Sequence, residues 1–238
     1  MKLAIITGGS RGLGAALVDL WKANGYSIKE LSRSGQSADS VQIDLADPVS
    51  AAQIAEPIFA ELASQSWEDV VFFNNAGLVY PVGLVSGKSV DEVMTNINVN
   101  YTGAILLIRA FIDAFQMAEC SKTIVNISSG AAISNIHGWS LYCAAKAGIE
   151  HFVRGVAVEQ AQQTYPIQTL NVGPGIIDTD MQADIRSVSV EDFPRLEQFV
   201  GFKESGALRS PEIVAQAIKN ILDSKQESGS RHNIQDFL

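Results

Sequence analysis

The stretch TGGSRGLG at residues 7–14 constrains this chain most, because it joins an apolar run, KLAIIT at 2–7, to a helical one, AALVDLWKAN. Gly8, Gly12 and Gly14 let the backbone turn sharply and approach a bound group closely. The helix that follows offers unpaired N–H groups and the positive end of its dipole. Together with Ser10, Arg11 and Leu13 these residues read as a cradle for a dinucleotide pyrophosphate. Glycine-rich turns also tighten strand-to-helix junctions that bind nothing. What favours nucleotide binding is the position of this one, between a first strand and a first helix.

The rest of the chain repeats that alternation. Short β-rich runs occur at 2–7, 26–32, 40–44, 69–74, 122–128, 166–172 and 231–236, with helical patterns between them at 13–24, 49–65, 89–117, 142–163 and 211–223. Ser210 and Pro211 fit the N-cap and first position of the last helix. The alternation predicts an α/β chain with a Rossmann-type, doubly wound parallel sheet of about seven strands, helices covering both faces in three layers. At 238 residues, 47% apolar and free of low-complexity blocks, residues 1–238 are expected to form a single domain. The irregular, charged stretch 178–210 contains Pro194, Gly201 and Gly206 and is expected to form a short-helix lid.

Charge and cysteine usage narrow the function. A formal net charge of −9 argues against nucleic acid and anionic membranes as partners. MKLAIITGG enters a strand pattern at once and no apolar run reaches a spanning length, so a cytoplasmic location is expected. Cys120 and Cys143 form no CxxC pair, and His137, His151 and His232 show no ligand spacing; no metal site is expected.

A dinucleotide site that prefers NAD places an acid at the end of the second strand, about 20 residues past the glycines. Here that spot reads Ser32-Arg33-Ser34. A guanidinium there would take a 2′-phosphate through two hydrogen bonds, whereas a carboxylate would repel it. Arg11 offers a second cation, and Glu30 is a rival acid placed early, inside the strand. The cofactor reading is therefore NADP(H), and Arg33 opposes an NAD-linked alcohol or sugar dehydrogenase.

Tyr142 and Lys146, in YCAAK, stand four residues apart and share one helix face. A phenol titrates near 10, and a nearby ammonium stabilises its anion; a shift of about three units corresponds to roughly 4 kcal/mol. Thirteen residues before Tyr142, the run KTIVNIS ends in Ser128-Ser129, which puts a hydroxyl at the C-terminal edge of the sheet, where open α/β sheets hold ligands.

TGGSRGLG, the NNAG of 74–77, NYTG of 100–103, ISS of 127–129, YCAAK of 142–146 and GPGIIDT of 173–179, in this order, resemble the short-chain dehydrogenase/reductase family over nearly the whole chain. The resemblance implies an NADPH-dependent oxidoreductase of carbonyl and hydroxyl groups. In it Tyr142 donates a proton to the carbonyl oxygen and Ser129 hydrogen-bonds that oxygen. Lys146 holds the nicotinamide ribose and lowers the Tyr142 pKa, and Asn100 positions a relay water. It further implies that Asn75, Ala76 and Gly77 line the adenosine side and that Asp44 and Leu45 flank the adenine, though Asp44 also reads as a strand-end cap. Pro174, Gly175, Ile177 and Thr179 would lie on the nicotinamide side. In the family, long helices such as those at 89–117 and 142–163 pair subunits, which implies a homodimer or homotetramer.

HGWSLYCAAKAG with GIIDTDMQ resembles the sepiapterin reductase and bacterial benzil reductase branch, and IRSVSVEDFPRLEQF with SPEIVAQAI is similar to the benzil reductase type. The substrate implied is a 1,2-dicarbonyl reduced to a hydroxyketone. The alternatives are reduction of a pterin side chain, with Asp236 meeting the pterin edge, and a catalytically silent NADP(H)-binding regulator. Trp139, about one helical turn before Tyr142, is expected to wall the substrate pocket, with Met181 and Gln182 closing its other side.

Overall fold

Residues 1–238 are described by a computed structural model. Its strands are β1 (Lys2–Thr7), β2 (Tyr26–Ser32), β3 (Ser40–Gln42), β4 (Asp69–Asn74), β5 (Ser121–Ile127), β6 (Gln168–Gly173) and β7 (Arg231–Asn233). Its helices are α1 (Gly12–Ala23), α2 (Pro48–Ala63), α3 (Val90–Ile97), α4 (Gly103–Phe115), α5 (Ser140–Gln160), α6 (Asp180–Arg186), α7 (Leu196–Glu204) and α8 (Pro211–Asp223). The strands form one parallel sheet in the order β3-β2-β1-β4-β5-β6-β7. The chain winds outward from β1 to β3 and then returns to β4 on the other side of β1. The connections leaving β1 and β4 therefore diverge and open a crevice at the C-terminal edge of the sheet.

Alternation along each strand dictates the layers. Leu3, Ile5, Val70, Phe72 and Ile124 face α2, α4 and α5, where Phe72 stacks on Phe111 at 5.2 Å between ring centroids and Phe111 on Phe115 at 4.8 Å. Ala4, Ile6, Val71, Phe73 and Val125 face α1 and α8, with Trp21 edge-on to Phe73 at 4.7 Å. Three asparagines interrupt this apolar interior at the level of the crevice. Asn74 Nδ2 donates to Asn126 Oδ1 at 2.8 Å, and Asn126 Nδ2 donates to Asn171 Oδ1 at 2.7 Å. They face one another across β4, β5 and β6 in register, so one buried amide row locks three strands.

Helix starts follow their local chemistry. Ser210 Oγ accepts from Ile213 N and Pro211 takes the first turn of α8. Ser89 and Glu92 form a reciprocal capping box on α3.

Three expectations need correction. The helix expected over 89–117 is α3, a π turn at Asn98–Thr102, and α4. The buried side chain of Asn100, inside that turn, explains the break. Its Oδ1 accepts from Leu78 N at 3.0 Å and its Nδ2 donates to Leu78 O at 2.8 Å, so the helix widens by one residue to reach the segment after β4. The strand expected at 40–44 stops at Gln42. The one expected at 231–236 stops at Asn233, where Ile234 turns inward to bury itself and begins a 3-10 turn, Ile234–Phe237.

Candidate active site

The glycine turn is built as a cradle. Gly8 and Gly12 have φ of +66° and +53°, a region that costs nothing only without a Cβ. A Cβ on Gly14 would fall 2.0 Å from Gly8 O. The turn is pinned from β4: Asn75 Nδ2 donates to Thr7 O (2.9 Å) and Gly8 O (3.2 Å), while Thr7 Oγ1 accepts from Asn75 N and Ala76 N. Arg11, at the N-cap of α1, has no side-chain capping bond, and the first turn carries no acid. Its N–H groups and dipole are thus free for an anion, and these residues fit a dinucleotide pyrophosphate.

Arg33 lies past the end of β2 on a cleft of about 390 Å³ lined with Gln42, Ile43, Asp44, Asp47 and Ala51. Its guanidinium has no hydrogen-bonding or ionic partner in the protein; only its carbonyl is engaged, by Gln42 Nε2 at 3.2 Å. Ser32 Oγ accepts from Gly35 N at 3.0 Å, and Ser10 and Ser34 hydroxyls meet at 3.2 Å, tying the glycine turn to this loop. Asp44 lines the cleft, and its Oδ1 accepts from Ala46 N at 3.0 Å. Glu30 is buried beneath the loops, where a Cβ on Gly9 would lie 2.4 Å from its Cγ and one on Gly35 2.0 Å from its Oε2. One expectation shifts: Leu45 turns into the core against Gly103. Arg11 makes an exposed ion pair with Asp180 at the start of α6, Nη1 to Oδ2 3.0 Å.

The reacting groups expected from the sequence converge at the C-terminal ends of β4 and β5. A Cβ on Gly77 would lie 3.1 Å from Asn100 Oδ1 and 3.5 Å from Lys146 Nζ, so three segments meet there. Lys146 is buried, donates to Ile127 O at 3.0 Å and stands 5.8 Å from the Tyr142 ring centroid. Ser129 caps the 3-10 turn Gly130–Ala132, its Oγ accepting from Ala131 N at 3.1 Å.

Burial pushes the Tyr142 phenol up to about 12, with the Ser129 hydroxyl partly opposing it. Burial brings the Lys146 ammonium down to about 8. Desolvation of the phenol outweighs any lowering that the Lys146 ammonium supplies. The result is a phenol that holds its proton at neutral pH next to an ammonium that is largely charged. Asn100 engages Leu78 through both ends of its amide, and its Oδ1 and Nδ2 each keep a second hydrogen-bonding capacity.

Trp139 is buried edge-on to Tyr142 (5.8 Å) and stacks on Phe193 (5.0 Å), with Phe199 of α7 edge-on to it at 5.5 Å. Met181 and Ile185 of α6 join this cluster. Gln182 is buried, but its Oε1 accepts from Arg186 Nη1 at 3.2 Å within α6. Thr179 touches the glycine turn, its Cγ2 3.2 Å from a Cβ built on Gly12.

Sequence reasoning missed Phe193, Phe199, Arg209 and Gln235. The Arg209 backbone pairs with Ile176 and Asp178 through Ile176 O and Asp178 N, which fixes Ile177 between them. Arg209 Nη1 and Gln235 Nε2 lie 3.6 and 3.9 Å from a Cβ built on Gly175, beside Pro174. Asp236, by contrast, is exposed on a turn tied to α8 through Asn220 Nδ2 and Phe237 O at 3.0 Å. No helix is long and apolar enough to cross a membrane.

Comparison with known proteins shows the family. A family model described as short chain dehydrogenase matches residues 2–189. The chain is 37% identical to a benzil reductase ((S)-benzoin forming) of Bacillus subtilis, with 100% of both chains covered. It is 29% identical to the sepiapterin reductase of Bos taurus, over 98% of this chain and 94% of that one. Among solved structures, a short chain dehydrogenases/reductase from Saccharomyces cerevisiae superposes with a TM-score of 0.84 over 100% of both chains at 24% identity, a likeness of fold.

Proposed function

The chain belongs to the short-chain dehydrogenase family, and on that premise we propose that it is an NADPH-dependent carbonyl reductase that converts a 1,2-diketone to a hydroxyketone. The observation that carries this reading is the buried Tyr142 phenol, with Lys146 Nζ 5.8 Å from its ring centroid and Trp139 edge-on at 5.8 Å, near Ser129 at the end of β5. NADPH, when bound in the glycine cradle with its 2′-phosphate at Arg33, supplies the hydride.

The protein's own groups do the rest. Ser129 Oγ–H donates to the substrate oxygen and fixes the carbonyl. Tyr142 delivers its proton to that oxygen as negative charge develops there. The Lys146 ammonium offsets the charge left on the phenol and anchors the nicotinamide ribose. Trp139, backed by Phe193 and Phe199, makes the surroundings of Tyr142 apolar, which suits aryl or alkyl groups flanking a diketone. Residues 178–210 act as the lid that closes over it. The presence of Asn100, Ser129, Tyr142 and Lys146 together favours an enzyme over a silent binding protein. The full-length likeness to a benzil reductase supports the diketone. We place the enzyme in the cytoplasm, as a homodimer or homotetramer.

Two variants test the substrate. Trp139→Leu would take away one aromatic contact to the substrate, worth about 0.5–1.5 kcal/mol, and the KM for benzil is expected to rise up to about tenfold. Asp236→Ala should leave benzil turnover unchanged. Vigorous sepiapterin reduction that is lost in Asp236→Ala would instead make the protein a pterin side-chain reductase.

A further inference from the structure

Tyr142 and Lys146 begin a row that continues along one face of α5 with Glu150 and Arg154, each four residues on. Glu150 is 2% exposed, an uncommon place for a carboxylate. Its Oε2 accepts from Ser128 Oγ at 2.6 Å and from Arg231 Nη1, and its Oε1 accepts from Arg154 Nη1 at 3.2 Å.

Arg231 comes from β7, near the C-terminus. Its Nη1 also donates to Ser128 Oγ at 3.2 Å, and its Nη2 donates to the carbonyl oxygen of Ser129 at 3.3 Å. Room for it depends on Gly173 of β6, where a Cβ would lie 3.1 Å from Arg231 Nη2. A buried ion pair is a poor source of net stability, because desolvation offsets most of the attraction. What this one does supply is geometry. A planar guanidinium clamped on Glu150 has its second N–H group fixed in direction, and that group ends on Ser129.

We propose that Arg231, held by Glu150, is a positioning residue for Ser129. It fixes the backbone of the serine from behind so that Oγ faces the substrate carbonyl. The inference rests on the reading of Ser129 as the carbonyl-binding hydroxyl. Neither Arg231 nor Glu150 touches the reacting atoms.

The double variant Glu150→Gln/Arg231→Gln removes both charges and leaves neither stranded. Arg231→Lys keeps a cation against Glu150 but loses the planar fork, and serves if the double variant does not fold. In either, kcat for ketone reduction should fall about tenfold or more, since small misplacements of a positioned group can cost up to 10²-fold, while the Kd for NADPH stays as in wild type. In a Ser129→Ala background the same changes should have almost no further effect on kcat, because they act through the serine. A merely structural role would produce no such dependence on Ser129. A kcat within about twofold of wild type in the folded variant, or an undiminished loss when Ser129 is already alanine, overturns the proposal. A wild-type protein that reduces no ketone defeats the function reading instead. The positioning is then decided by a crystal structure of the folded variant: a displaced Ser129 Oγ supports it, and an unmoved one overturns it.

Discussion

Tyr142→Phe is expected to lower kcat for ketone reduction by 10² to 10⁴-fold while NADPH binding is retained, because general acid catalysis typically contributes that much. The phenylalanine ring keeps the edge contact with Trp139 that the tyrosine makes at 5.8 Å, so the pocket persists while the proton donor is gone. The wild-type pH profile supplies a second readout. Burial holds the Tyr142 phenol near 12, so it stays protonated across the working range, whereas Lys146 titrates at about 8. Below about pH 8 the ammonium is charged and can offset the phenolate; above it the charge is lost and kcat should decline. In Tyr142→Phe the residual rate should lack that decline. A variant that keeps more than about a tenth of wild-type turnover would remove Tyr142 from the role of donor.

Arg33→Asp should move the protein from NADPH toward NADH. The Arg33 guanidinium is the cation lining the cleft between β2 and α2, while the other candidate, Arg11, makes an exposed ion pair with Asp180. Losing a charge-assisted contact to the 2′-phosphate costs about 1.5–3 kcal/mol, which is roughly 10- to 150-fold in KM for NADPH. The new carboxylate adds repulsion against phosphate and an acceptor for a ribose hydroxyl, so the KM for NADH should hold or improve. Steady-state kinetics with both cofactors checks this. Equal weakening of both would show that Arg33 shapes the loop without reading the phosphate.

How far the sequence carries depends on whether a residue's partner is near in the chain. The sheet and its two covered faces are legible because Leu3 and Ile5 alternate with Ala4 and Ile6, and because each helix carries its own stripe. Tyr142 and Lys146 are legible for the same reason, being neighbours on one helix. The ion pair of Arg11 is not legible, because Asp180, its partner, lies 169 residues away. The π turn was invisible because the apolar pattern runs through it; only the bond of Asn100 to Leu78, across a chain reversal, reveals why the helix widens. Phe193 and Phe199 sit in a charged stretch whose polarity suggests exposure, and their burial comes from packing on each other and on distant residues, Trp139 among them. Glu150 stood in plain register with Lys146, but nothing local announced Arg231, 81 residues further on.

The most direct test of the account is the initial rate of NADPH absorbance loss with the wild-type protein, run in parallel with benzil and with sepiapterin and repeated with NADH. The account predicts rapid benzil reduction with NADPH, with kcat/KM at least about tenfold above both the sepiapterin reaction and the NADH reaction. Absence of benzil turnover, or a preference for sepiapterin or for NADH, would contradict it.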